Sequence, residues 1–558
     1  MKKLLLALTV SLFLYGQEKV DEANDAKMRS EELEHSQILH TLHMLTDRYG
    51  PRVTGTPNHE MAAKWAVAEM TKWGMKNGHL EPWEFGHPGW LNESADGHVI
   101  APVKQNLKFE VLAWTPSTNG VATASVLQIE PPQGPMPPAD PAAETAGRGG
   151  RGGAGRGGPV RLGPLKTEMA QWVAANKDKV RGKIVLVGKA AVIPVNFDPP
   201  AKRQADDVVK RNYDPNNPNG GRGGRGGGGA GRGAATPDPT RFTAVEVNEQ
   251  VDAMLVANGA LMRVNDAARG EGIIVAQQHR GYDPATAVPT VILRNDDYGR
   301  VERLVADGED VKLQFNIVNH IYPEGKTSYN AIAEIPGTDK ADEVVMLGGH
   351  LDSWHGGTGA TDNAIGCSIM MEAARLIEAA GLKPRRTIRV ALWSGEEEGL
   401  LGSLAYVKAH FGTAEDPKPE WFKLDAYFNV DTGTGKIRGA GVFGPPEAAA
   451  VIRPVLKQFE EWGVGGASSS NSRAVGGTDS TSFNNAGLPG IGMSQDPIEY
   501  GSMTHHTNLD TYERIVPDDV MKDAAIVAAQ LWHLANRDEM LPRFSKEKMP
   551  PPVPVRAF

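Results

Sequence analysis

From Tyr329 onward the chain alternates short, densely apolar runs with longer stretches of helical spacing. The runs 330–335, 343–347, 387–393, 426–430 and 488–493 are short and bounded by turn residues, which predicts buried strands. Between them, 364–380, 402–411, 446–462 and 479–486 read as helices. In the first of these, Ile365, Ile369, Ala373, Leu376, Ile377 and Ala380 lie on one face; Gly381 closes the pattern and Pro384 follows. A last helix is predicted over 517–536. Strands alternating with helices imply an α/β fold with a mixed, mostly parallel sheet flanked by helices.

The first third follows other rules. Residues 18–47 predict a helix with Ile38, Leu39, Leu42 and Leu45 on its apolar stripe, and 59–74 a second after the turn-rich 47–57. Between about 97 and 319 the pattern changes to β-type runs at 122–129, 183–187, 272–275, 290–293 and 311–317. Two Gly/Arg tracts, 147–158 and 220–233, interrupt them without apolar periodicity and are expected to be disordered loops. Residues 541–558 form a Pro-rich tail.

Composition sharpens this picture in three places. The net charge is −9 over 558 residues, and without the six Arg of the two tracts it is −15. A folded part that acidic argues against nucleic-acid binding, and no aromatic residues interleave with the Arg-Gly-Gly repeats for base stacking. The single cysteine, Cys367, excludes an intramolecular disulfide and a thiolate zinc site. Met1-Lys2-Lys3, the apolar run 4–15 and Gly16 read as a signal peptide, 1–16, and so predict a secreted or periplasmic protein without a membrane span after its cleavage. Nothing in the sequence specifies an oligomeric state.

Candidate chemistry gathers at the ends of the predicted strands. In order it comprises His350 and Asp352, Asp362-Asn363, Glu396-Glu397-Glu398, Asp431, and His505-His506 with Asp510. The carboxyl ends of parallel strands are where α/β sheets place their sites. Imidazole and carboxylate are zinc ligands when thiolates are absent. Asp352, two residues beyond His350, can steady that ring through its free nitrogen. Successive glutamates point to opposite sides of an extended chain, so one can face a metal while its neighbour serves as general base. An acid at one strand end is ordinarily a cap; five such clusters in one α/β pattern are not explained that way.

These motifs resemble the M28 family of zinc exopeptidases, of aminopeptidase or carboxypeptidase Q type. The resemblance covers most of 329–536. It is carried by His350-Leu-Asp352-Ser353, Thr361-Asp362-Asn363, Glu396-Glu397, Gly399-Leu-Leu-Gly-Ser403, Asn429-Val-Asp431, Gly477-Thr-Asp479-Ser480 and His506-Thr-Asn-Leu-Asp510-Thr511. It implies a catalytic domain formed by 18–115 and 320–540, and a protease-associated (PA)-like insert at 116–319. It also implies two zinc ions per chain: His350 and Asp431 on one, Glu397 and His506 on the other, Asp362 bridging. Glu396 is then the general base, Asp352 orients His350, and the Asp362–Asn363 bond is expected to be cis. Where the family often has a Tyr before the last ligand this chain has His505, which is expected to hydrogen-bond the oxyanion instead.

The activity so implied is hydrolysis of peptides at a free N-terminus by an exported enzyme. Its alternatives are a dipeptidase or carboxypeptidase on the same site, glutaminyl cyclase-type acyl transfer with one zinc, and a non-catalytic binding module. Other reactive residues read as structural: His355 as a solvated loop residue, Cys367 as a buried small residue, and 479–482 as a helix cap. Ser394, Ser403 and Ser480 lack a nucleophile elbow.

Overall fold

A computed structural model describes residues 18–136, 161–195, 197, 203–216, 238–277 and 281–553. The predicted signal peptide, both Gly/Arg tracts and the tail beyond 553 lie outside the described residues.

The strands, in chain order, are β1 (Lys76–Glu84), β2 (Gly89–Ala101), β3 (Gln105–Asn106), β4 (Phe109–Val111), β5 (Ala122–Ile129), β6 (Ile184–Val187), β7 (Met262–Asp266) and β8 (Thr290–Leu293). They continue with β9 (Lys312–Tyr322), β10 (Thr327–Ile335), β11 (Lys340–His350), β12 (Arg386–Trp393), β13 (Leu424–Asn429), β14 (Ile437–Phe443), β15 (Ala467–Ser470) and β16 (Gly490–Gln495). Among the described residues they form two eight-stranded mixed sheets, in the orders β1-β10-β12-β11-β13-β16-β14-β15 and β3-β2-β9-β5-β6-β7-β8-β4.

In the first sheet β12, β11, β13 and β16 lie side by side and parallel, with β10 and β14 antiparallel on either flank. Side chains of a strand alternate between faces, and here both faces are covered. Val345 and Leu347, Ala331 and Ala333, Val390 and Leu392 join one core with helices Ile365–Ala379 and Pro517–Asn536. Met346, Ile332, Ala391 and Trp393 face the other way, against Tyr406, Phe411 and Phe483 from helices on the opposite side. Burial on both faces is why these strands read as continuous apolar runs.

Several expectations need correction. The helix predicted over 18–47 is broken into Glu22–His35, Ile38–His43 and a π-helical turn at Met44–Arg48. Ser36 causes the break: its hydroxyl donates to Glu32 and accepts from the Ile38 N–H, and such local bonds compete with helix. The run 272–275 is not a strand; only Val275 bridges, to Thr507. Strands β1, β2, β3, β4, β7, β14 and β15 escaped the pattern; β1 carries Gly, His and Pro, and β15 is nearly all Ser.

Along the chain the second sheet, β2 to β9, lies between β1 and β10 of the first. β2 pairs with β9 along its whole length, from Gly89 opposite Tyr322 to Ala101 opposite Lys312, so this sheet draws on residues on both sides of the 116–319 segment. The tail is pinned to the helical side, where Asn485 and Val553 exchange two hydrogen bonds and Arg473 donates to the Pro550 carbonyl. Among the described residues no helix is long and apolar enough to cross a membrane.

Candidate metal centre

Every predicted ligand arrives from the carboxyl end of a parallel strand or the loop behind it. His350 is the last residue of β11 and fully buried. Its Nδ1 lies 3.0 Å from the Asp352 backbone carbonyl, which calls for a proton on Nδ1 and turns Nε2 toward the carboxylates. Nε2 points at Asp362 Oδ1 (3.2 Å) and Asp431 Oδ1 (3.4 Å), with Glu396 Oε2 at 4.0 Å. Burial opposes a charge on this imidazole, yet the carboxylates of Asp431 and Glu396 raise its pKa well above the ordinary value.

On the other side, His506 Nε2 stands 2.9 Å from Glu397 Oε2 and 3.3 Å from Asp362 Oδ2. Asp362 therefore touches both imidazoles, one with each oxygen. Its peptide bond to Asn363 is cis. Asn363 then ties this loop to the strand that delivers Asp431: its side-chain amide donates to the Val430 carbonyl at 2.8 Å and accepts from the Gly366 N–H at 3.1 Å. A Cβ on Gly366 would sit 2.2 Å from Asn363 Oδ1, so only glycine leaves room for that arrangement.

The Asp352 carboxylate has a wider task than the one expected. It lies 3.7 Å from His350 Nδ1, and the closer bond from that ring goes to the Asp352 main chain. Its two oxygens accept instead from the backbone N–H groups of Glu396 (3.3 Å) and Glu397 (3.2 Å) and from the Thr54 hydroxyl (3.2 Å). One carboxylate thus orients the loop bearing both glutamates. Burial works against its charge, but His350 and these donors hold it below the usual range. Glu397 and Glu396 are pushed well up, first by burial and then by neighbouring carboxylates.

Three further residues build the centre: Asp510, already singled out in the sequence without a role, and Arg52 and Tyr500, which the sequence pattern did not mark. Arg52 is fully buried and donates to four backbone carbonyls, those of Leu351, Leu45, Thr358 and Gly359, clamping the 351–359 loop that leads to Asp362. Asp510 accepts from the N–H groups of Thr361 and Asp362. The Tyr500 ring packs 4.9 Å from that of His505, and its phenol is pushed up by burial and by the charges of Asp362, Asp431 and Glu397. His505 itself is exposed, its Nε2 3.9 Å from Asp362 Oδ2 and its ring 3.8 Å from that of His506.

Two structural readings change. His355 is not solvated: Nε2 bonds the Val111 carbonyl at 2.6 Å and the ring meets Trp90 edge-on, because a segment of the second sheet covers this loop. Asp479 stands at the N-cap of helix Ser480–Asn485, but its side chain makes no capping bond. Cys367 is buried as expected, with burial pushing its thiol up to about 12.

The fit to metal rests on unpaired atoms. His350 Nε2, Asp362 Oδ2, Glu397 Oε1 and Asp431 Oδ1 are buried without a hydrogen-bond partner. Buried polar atoms are rarely left so, and these four belong to residues that meet at one place. Ligand atoms of His350, Asp362 and Glu397 lie within 4.8 Å of one another, as do those of His350, Glu396 and Asp431, and of Asp362, His505 and His506. Imidazole nitrogens and carboxylate oxygens at such spacing suit zinc.

Comparison with known proteins agrees with this chemistry. Residues 330–531 match the model of peptidase family M28. Carboxypeptidase Q of Mus musculus is 31% identical over 261 residues, covering 47% of this chain and 53% of that protein. The Xenopus laevis enzyme is 34% identical over 260 residues, covering 46% and 52%. The chain spans about half the length of these curated relatives. Among solved structures, a peptidase M28 precursor from Shewanella amazonensis SB2B superposes with a TM-score of 0.60 at 22% identity, over 94% of this chain and all of that one. BSAP, a zinc aminopeptidase from Bacillus subtilis, gives 0.52 at 16% identity, over 92% and 98%. At these identities the two likenesses concern the fold.

Proposed function

We propose, from the match of residues 330–531 to the model of peptidase family M28, that the chain is an exported di-zinc exopeptidase acting at the free N-terminus of peptides. The observation that carries this reading is the convergence of four buried, unpaired ligand atoms from His350, Asp362, Glu397 and Asp431. Charge supports a pair of metals. Asp362, Glu396, Glu397 and Asp431 would bring four negative charges together, which two divalent cations balance.

In this reading His350 and Asp431 would hold one zinc and Glu397 and His506 the other, with Asp362 within reach of both. Zinc bound there supplies Lewis-acid polarisation of the scissile carbonyl and acidifies water. Glu396, partly open to solvent and fixed through its N–H on Asp352, takes a proton from the attacking water and returns it to the leaving amine. His505, exposed beside Asp362, donates a hydrogen bond to the oxyanion. The acidic mouth favours the ammonium of a free N-terminus. Residues 116–319 act as a PA-like insert that narrows the entrance, and the segment 1–16 directs export.

A dipeptidase or carboxypeptidase action on the same zinc ions is the second reading, favoured by the 31–34% identity to carboxypeptidase Q. Metal analysis of the purified protein, combined with turnover of peptides with free and blocked ends, separates the cases. Two zinc ions and cleavage that requires a free amino end are expected. Cleavage only of dipeptides, or of substrates needing a free carboxyl end, selects the second reading. One metal per chain with cyclisation of N-terminal Gln points to glutaminyl cyclase-type chemistry, and no metal and no turnover to a binding module.

A further inference from the structure

One loop associated with the second sheet reaches the metal centre. Residues 273–277 run beside 505–508. The Asn508 N–H donates to the Ile274 carbonyl at 3.1 Å, the Ile274 N–H donates to Asn508 Oδ1 at 2.8 Å, and Val275 bridges to Thr507. At the far end of this loop the Ala113 N–H donates to the Gln277 carbonyl at 3.0 Å. Main-chain bonds on both sides therefore aim the Gln277 side chain, and its amide lies 2.9 Å from His506 Nδ1.

That contact bears on which nitrogen of His506 can bind. Nε2 is the atom turned toward Glu397 and Asp362. Its lone pair is available only in the tautomer protonated at Nδ1, and the Nδ1–H then needs an acceptor. The two ends of a glutamine amide are equal in shape, so a half-turn presents Oε1 to Nδ1 in place of Nε2.

We propose that Gln277 is the positioning residue of His506: its amide oxygen fixes the tautomer and ring orientation for metal, so that a loop from outside the family-matched segment 330–531 completes the centre. The inference rests on the zinc reading above. It makes the loop part of the metal site in addition to any role in covering it.

Zinc titration of metal-free full-length protein, by calorimetry or competition with a chromophoric chelator, tests it in the wild type, Gln277→Leu and Gln277→Glu. Leu removes the acceptor but keeps the main-chain bonds; Glu keeps an acceptor. One of the two zinc ions is expected to bind about 10–100-fold more weakly in Gln277→Leu, with the other unchanged, while Gln277→Glu binds at least as tightly as wild type. Wild-type affinity for both ions in Gln277→Leu overturns the proposal. So does equal weakening in both variants with a matching fall in Tm, which is the signature of packing alone. A wild-type protein that takes up no zinc removes the zinc reading itself, and this inference with it.

Discussion

Asp510 Oδ2 accepts the backbone N–H of Asp362 at 3.1 Å, while its other oxygen takes the N–H of Thr361 at 2.6 Å. The loop bearing the central carboxylate is thus held by a side chain nearly 150 residues further along the chain. Asp510→Ala frees both N–H groups and lets Asp362 drift; metal affinity is expected to fall about 10–100-fold. Asp510→Asn retains one acceptor oxygen and should fall between. Equilibrium dialysis against zinc, with Tm measured in parallel, checks the order.

Glu396→Gln keeps the size and backbone of the proposed base and removes its proton chemistry. Metal content is expected to stay at the wild-type value while kcat falls about 100–10,000-fold, the range general-base groups contribute. A variant with wild-type turnover would place the base elsewhere.

Arg52 is a fully buried cation surrounded by carbonyls, and burial lowers its pKa. Arg52→Met fills much of the same space but leaves those carbonyls without donors. We expect a loss of about 3–5 kcal/mol in urea unfolding, the scale of orphaning buried charged or hydrogen-bonded groups.

Glu32, beside Glu372, has its carboxyl pushed up to about 9, first by burial and then by that neighbour. Between its ordinary value of 4.5 and about 9 the folded protein keeps a proton that the unfolded chain has lost. Stability from this group is therefore present at low pH and declines as pH rises through that window. Glu32→Gln abolishes the ionisation, so its Tm should fall less between pH 5 and pH 9 than that of the wild type.

Chelation should remove the cations that tie Asp362, Glu396, Glu397 and Asp431 together. Metal-free protein is expected to melt lower than protein with excess zinc, by a margin that grows with zinc concentration, because the ion binds the folded state. Scanning calorimetry after dialysis against a chelator, then with zinc restored, measures it.

How much of this was legible beforehand follows from the physics of each part. The helix Pro517–Asn536 and strand β5 begin and end at the residues predicted, since an unbroken stripe or a bounded apolar run records burial directly. β15, with three serines, was invisible because its pairing with β14 comes from the sheet and not from its own side chains. The histidines and carboxylates stood out as residue types after apolar runs. Arg52, Thr54 and Tyr500 did not, because an arginine, a threonine and a tyrosine in turn-rich loops carry no periodic signal.

By itself, then, the sequence determined the α/β alternation, the family likeness and the identity of the acids and imidazoles, because burial and ligand chemistry are written residue by residue. Only the tertiary structure decided that the Asp352 carboxylate also holds the glutamate loop, that Asp510 holds Asp362, and that Gln277 meets His506. Those contacts join residues 44 to 229 positions apart. No local pattern encodes them; they exist only once two sheets have packed and brought distant loops to one cavity.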